Sequence, residues 1–75
     1  MDLLAIKTFC RAVEEGNLTA AAKSLHITKS VASRRIQLLE EELSTKLLVR
    51  TTRGVSATDA GALFYERGIT ILADR

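Results

Sequence analysis

The sequence predicts a mainly α-helical domain with three core helices, a small β-hairpin and a fourth helix. Three observations carry this reading. Apolar residues recur at helical spacing in residues 2–15 and again in 29–43. Gly16, Thr19, Thr28 and Thr58 stand where helices would stop or start. Between residues 47 and 57, two strand-prone runs flank the turn Thr51-Thr52-Arg53-Gly54.

The first helix is read over residues 2–15, with Leu3, Ile6, Phe9, Cys10 and Val13 on one face and Gly16 as its C-cap. Thr19 is read as the N-cap of a short helix, Ala20 to Leu25, whose alanines at 20, 21 and 22 permit close approach of a neighbour. His26-Ile27 makes a tight turn. Thr28 is a second N-cap, and the third helix runs from Lys29 to about Leu43. Its apolar stripe is Ala32, Ile36, Leu39 and Leu43. Leu47 to Arg50 and Val55 to Ala57 are the strands, with Gly54 suited to a positive φ in the turn. Thr58 caps a fourth helix, where Asp59 complements the helix dipole. That helix carries Leu63, Phe64, Ile69, Ile71 and Leu72 and shows no stop signal before Arg75, which reads as a chain that continues. This order is the layout of a winged helix-turn-helix. The rival is a plain four-helix bundle with a loop at 46–57, and the strand-prone runs favour the wing. The division expected is a winged helix-turn-helix over residues 1–58 and a linker or dimerisation helix over 59–75.

A chain of 75 residues makes one small domain, and 47% apolar residues suffice for one core. The single cysteine, Cys10, lies on the first helix's apolar stripe and has no partner for an internal disulfide. No apolar run is long enough to span a bilayer, and Met1-Asp2-Leu3 lacks the basic flank of a signal peptide. A cytoplasmic protein is expected. His26 is a lone histidine, so no metal site is expected. No phosphate-binding glycine loop and no nucleophile–base arrangement is present, so an enzyme is not expected.

Charge distribution points to function. The net charge is only +2, but residues 17–39 contain no acid and hold Lys23, Lys29, Arg34 and Arg35. Residues 43–58 again lack acids and hold Lys46, Arg50 and Arg53. Two basic, acid-free segments suggest one positive face for a polyanion. On the third helix, Ser30, Arg34 and Gln37 lie opposite the apolar stripe and Ser33 flanks them. Arginine can bind guanine O6 and N7 bidentately, and small serines let the backbone lie close to bases. The first turns of a recognition helix carry the base contacts, so Lys29, Ser30, Ser33 and Arg34 form the expected reading set. Arg53 at the hairpin tip suits a minor groove. Thr51 is a candidate phosphate ligand. Arg50 has two readings, phosphate contact or pairing with a glutamate of the third helix. Arg35 is either a phosphate contact or simply solvated. Thr19 and Thr28 are caps first, with hydroxyls that can also meet phosphate. The competing function is a protein-interaction module of the same fold that docks an acidic partner.

The pattern F-x-x-x-V-E-E-G-N-L-T-A-A-A-x-x-L from Phe9, S-x-x-I at 33–36, L-E-E-E-L at 39–43 and L-L-V-R-T-T-R-G-V-S-A-T-D-A-G at 47–61 resembles the N-terminal domain of the LysR-type transcription regulators. The resemblance implies sequence-specific binding of double-stranded DNA by a dimer formed through the fourth helix, with a tetramer open to a full-length chain. It implies an effector-binding C-terminal domain beyond this chain, and hence no cofactor within it. Carried over by position, Thr28, Lys29, Ser30, Ser33 and Arg34 read the groove, and Arg53 is the wing contact. The chain departs from the family pattern at four places. Lys29-Ser30 stands where Gln-Pro or Gln-Ser is common, and Arg35 where Gln is common; both bear on base preference. Ser44 replaces a frequent glycine and Ala57 a usual leucine, departures expected to concern packing.

Overall fold

The computed structural model describes residues 2–73; Met1 and the last two residues of the expected fourth helix, Asp74 and Arg75, lie outside them. The order is α1 (Leu3–Glu15), α2 (Leu18–Ser24), α3 (Lys29–Leu43), β1 (Leu48–Thr51), β2 (Gly54–Ala57) and α4 (Asp59–Ala73). The fold class is the winged helix-turn-helix, and the paired strands remove the bundle alternative.

α1 is the hub and packs against α2, α3, α4 and β2. Its Asp2 cap accepts a hydrogen bond from Leu4 N–H, and Gly16 ends it in the left-handed region at φ 66°. Phe9, Ile36, Leu39 and Leu47 fill the centre, while Ala12, Ala21 and Ala32 are fully buried. Those three alanines set how closely α1, α2 and α3 approach. Thr8 is also fully buried, and its hydroxyl donates to the Leu4 carbonyl, so it leaves no unpaired group in the core. The Cys10 thiol is buried, and burial, followed by the nearby Glu14 charge, pushes its pKa from 9.0 to about 11. It is a neutral packing group at physiological pH.

α2 differs from expectation at its start. Asn17, not Thr19, is the N-cap, and its Oδ1 accepts from Ala20 N–H at 2.9 Å. Both residue types can cap. Leu18 decides between them, because its side chain is buried and the helix must include it. The helix therefore spans 18–24 instead of 20–25, and Thr19 sits exposed in its first turn. His26 then takes a left-handed conformation, φ 60°, which turns the chain into α3.

α3 begins and ends where its sequence pattern places it, with the Thr28 hydroxyl accepting from Val31 N–H at 3.1 Å. Its end corrects the reading of Ser44. That residue holds φ 52°, and Thr45 N–H reaches back to the Glu40 carbonyl at 3.0 Å. The matter is backbone conformation rather than side-chain packing, since a left-handed serine bears a Cβ penalty that glycine escapes. Ser44→Gly should stabilise the domain by about 0.5–1 kcal/mol, less than the full penalty because glycine also gains freedom in the unfolded chain. A thermal melt tests this, and an unchanged or lower Tm would contradict it.

β1 starts and ends one residue later than expected, at Leu48 and Thr51, whereas β2 starts one residue earlier, at Gly54, and ends at Ala57 as expected. Leu48 pairs with Ala57, Val49 with Ser56, Arg50 with Val55 and Thr51 with Gly54, leaving Thr52-Arg53 as the turn. Leu47 stays outside the ladder as a buried plug. β2 is fastened to the end of α1: Val55 N–H donates to the Gly16 carbonyl at 3.1 Å. Gly54 has φ 134°, and a Cβ there would lie 2.2 Å from the Gly16 oxygen, so the position needs glycine for conformation and for space.

Glu40 belongs to the acid cluster that the sequence places at the far end of α3, yet it faces inward. Its Oε2 accepts from Leu47 N–H at 2.7 Å and from Leu48 N–H at 3.2 Å, and Lys46 Nζ lies 3.7 Å from Oε1. It pins the approach to β1 onto α3. Thr58 fastens the other side: its hydroxyl accepts from Gly61 N–H and donates to the Lys46 carbonyl.

α4 splits the five residues assigned to dimerisation. Phe64 stacks edge-on against Phe9 at 5.7 Å between ring centroids, and Leu72 also packs on this chain's own core. Leu63, Ile69 and Ile71 are exposed at 67%, 41% and 41%. Tyr65 donates its hydroxyl to Glu14 Oε2 at 2.8 Å, and this bond is the main cause raising its pKa above 10. Glu14 Oε1 faces Arg11, whose guanidinium also bonds Ser24.

Candidate nucleic-acid interface

Three chain segments converge on one face: the start of α2, the start of α3 and the hairpin. A cleft of about 290 Å³ lies between them. Thr19, Lys29, Arg50, Thr51 and Arg53 line it, together with Asn17 and Thr52, and among the described residues no acid does. Five residues named from sequence as separate candidates therefore share one concavity.

The open face of α3 continues from this cleft. Lys29, Ser30 and Arg34 are exposed, whereas Ser33 and Arg35 are half-buried. The hairpin leaves Lys29, Ser30 and Arg34 uncovered, and among the described residues only its Arg50 reaches across to Ser33. The α3 N-terminus adds unpaired backbone N–H groups and the positive end of the helix dipole. Among the described residues, no carboxylate pairs with Lys29, Arg34, Arg35 or Arg53. Two acids are engaged elsewhere: Glu14 serves Arg11 and Tyr65, and Glu40 serves β1 and Lys46. The positive charge on this face is thus left for an external anion. Among the described residues no three His, Cys, Asp or Glu side chains gather in a group that could hold a metal.

One alternative left open by the sequence closes, and two candidate hydroxyls have partners within the chain. Arg50 does not pair with a glutamate of α3; its Nη2 donates to Ser33 Oγ at 2.9 Å. Glu40, the nearest such acid to the strand, is already occupied by two backbone amides. Ser33 consequently uses a lone pair inside the protein. Thr51 is likewise partly committed, because its Oγ1 accepts from Arg53 N–H at 3.2 Å and so shapes the turn. The Thr28 hydroxyl accepts from Val31 N–H and keeps its own proton for another acceptor.

Asn17 and Thr52 were missed. Asn17 was legible in principle as a capping residue before a buried leucine, but the stronger-looking Thr19 masked it. Thr52 gives no signal in sequence, since its place in the cleft follows from the hairpin register.

A profile of the bacterial regulatory helix-turn-helix proteins of the lysR family matches residues 3–62. The chain is 47% identical over 72 residues to a probable cat1 operon transcriptional activator of Acinetobacter lwoffii, covering 96% of this chain and 24% of that protein. The crystal structure of the CbnR DNA-binding domain in complex with DNA superposes with a TM-score of 0.94 at 40% identity, covering 97% of this chain and 84% of that one. The BenM DNA-binding domain on catB site 1 DNA gives 0.93 at 42% identity, covering 99% and 80%. The chain spans about a quarter of the length of that activator and of an HTH-type transcriptional regulator of Haemophilus influenzae, to which it is 45% identical over 75 residues. With the profile running from the first turn of α1 into α4, this chain belongs to the lysR family of bacterial regulatory helix-turn-helix proteins.

Proposed function

We propose that the chain is the reading head of a bacterial transcription regulator and binds double-stranded DNA sequence-specifically. The observation that carries this reading is the acid-free cleft opening onto the unpaired cationic face of α3. The relatives bound to DNA in crystals support it. Lys29, Ser30 and Arg34 enter the major groove, and Arg53 meets the flanking minor groove. Thr19, Thr28, Arg35, Arg50 and Thr51 contact phosphates, which supply affinity and register rather than sequence information. Residues 59–73 act as a dimerisation helix through Leu63, Ile69 and Ile71, with Phe64 and Leu72 supporting them from beneath. The regulator works in the cytoplasm and is not an enzyme. It takes no cofactor in this domain, and a small effector binds a further domain of the full-length protein.

A salt titration on duplex DNA tests the reading. Affinity should fall steeply, with log Kobs against log salt declining by about 0.9 per phosphate neutralised. No binding even at about 50 mM salt would reject it in favour of an acidic protein partner.

A further inference from the structure

We propose that Ser33 is a positioning residue for the wing rather than a reader of bases, and that Arg50 joins it to the phosphate backbone. The inference rests on the DNA-binding reading. α3 and the hairpin are separated by a groove of about 420 Å³ lined by Ser33, Gln37, Glu40, Leu48 and Arg50 among others. Two polar bridges cross that gap. At the end near the C-terminus of α3, Glu40 accepts from the Leu47 and Leu48 amides. At the end facing the candidate interface, Arg50 Nη2 donates to Ser33 Oγ at 2.9 Å, across 17 residues of sequence. The first bridge is shielded, for the Glu40 side chain is only 12% exposed. The second lies exposed at the rim and sets the angle at which the hairpin leaves α3.

Arg50 also lines the cationic cleft, so it borders both cavities. A guanidinium has five donors in a fixed fork, and one bond to Ser33 leaves others for a phosphate oxygen. A lysine ammonium has no such fork and cannot hold the hydroxyl and a phosphate in the same fixed geometry. Ser33 is half-buried and its acceptor is occupied, which suits a strut better than a base contact. Phosphate spacing on a duplex is regular, so a wing held at a set distance from the reading helix binds without first paying to order itself.

The test is a double-mutant cycle of Ser33→Ala and Arg50→Ala in this chain, measured on a duplex selected from a random pool and on its scrambled counterpart. Ser33→Ala should weaken both duplexes equally, by about three- to tenfold, and should cost nothing further when Arg50 is already alanine. Arg50→Lys should behave as Arg50→Ala does toward Ser33. Amide exchange of free protein gives a readout independent of DNA: in Ser33→Ala the hairpin amides should exchange faster while the slowest α1 amides stay unchanged. Three results would overturn the inference: a Ser33→Ala loss confined to the selected duplex, additive losses across the cycle, or unaltered hairpin exchange. Failure of the unsubstituted chain to bind either duplex would instead overturn the DNA reading, leaving the exchange result to decide whether the strut exists.

Discussion

Gly61→Ala should cost the domain about 3 kcal/mol or more and lower its Tm by more than about 10 °C. A Cβ at this position would stand 2.0 Å from the Leu47 carbonyl oxygen, 2.9 Å from its carbon and 3.2 Å from its Cα. All three neighbours are backbone, so no side-chain rotation relieves the clash. The carbonyl cannot easily withdraw, because Thr58 N–H donates to it at 3.0 Å. Either α4 lifts away from the entry to β1 or β1 shifts against Glu40. Both routes loosen contacts of Phe64 with Phe9 or of Leu47 with the core. Domains of this size hold only about 4–11 kcal/mol in total, so much of the margin would go. Circular dichroism melts check this directly. A Tm within about 2 °C of the parent would mean that the tight approach of α4 to Leu47 does not exist in solution.

Arg34→Ala should weaken binding to a selected duplex by about five- to 150-fold, the equivalent of about 1–3 kcal/mol, and should relax one base position. The same substitution should leave affinity for scrambled DNA nearly unchanged. Arg34 is exposed on α3 and, among the described residues, pairs with no carboxylate. Its removal therefore orphans no buried partner, and the melting curve should stay within the range of ordinary surface substitutions. A binding loss can then be assigned to the interface rather than to unfolding. Equal loss on selected and scrambled duplexes would make Arg34 a phosphate contact. No loss on either would remove it from the interface.

The elements themselves were legible in the sequence because they follow local rules. The spacing of Ala32, Ile36 and Leu39 announces α3, and all three are buried as that spacing requires. Thr28 and Gly16 mark helix ends through chemistry that acts within a few residues. The positive face was legible as well, since acid-free segments remain acid-free however they fold. Where two local rules competed, sequence reading failed. Asn17 and Thr19 are both good caps, and only the burial of Leu18 chooses between them. Glu40 looks like one solvated acid among three until Leu47 and Leu48 bring their amides to it. Phe64 and Leu63 are adjacent apolar residues on α4, yet one meets Phe9 and the other faces outward.

The amino-acid order alone determined which segments become helix or strand, where the core stripe lies and which stretches carry cations and no acid. Those properties follow from short-range periodicity and composition, and packing moved only the boundaries, as at the start of α2 and at β1. Tertiary structure alone decided that Thr19, Lys29, Arg50, Thr51 and Arg53 share one cleft, that Ser33 is held by Arg50 and that α4 presses on Leu47 at a glycine. Each of these joins residues far apart along the chain, and such distances are set only when α1 has gathered α2, α3, α4 and β2 around it.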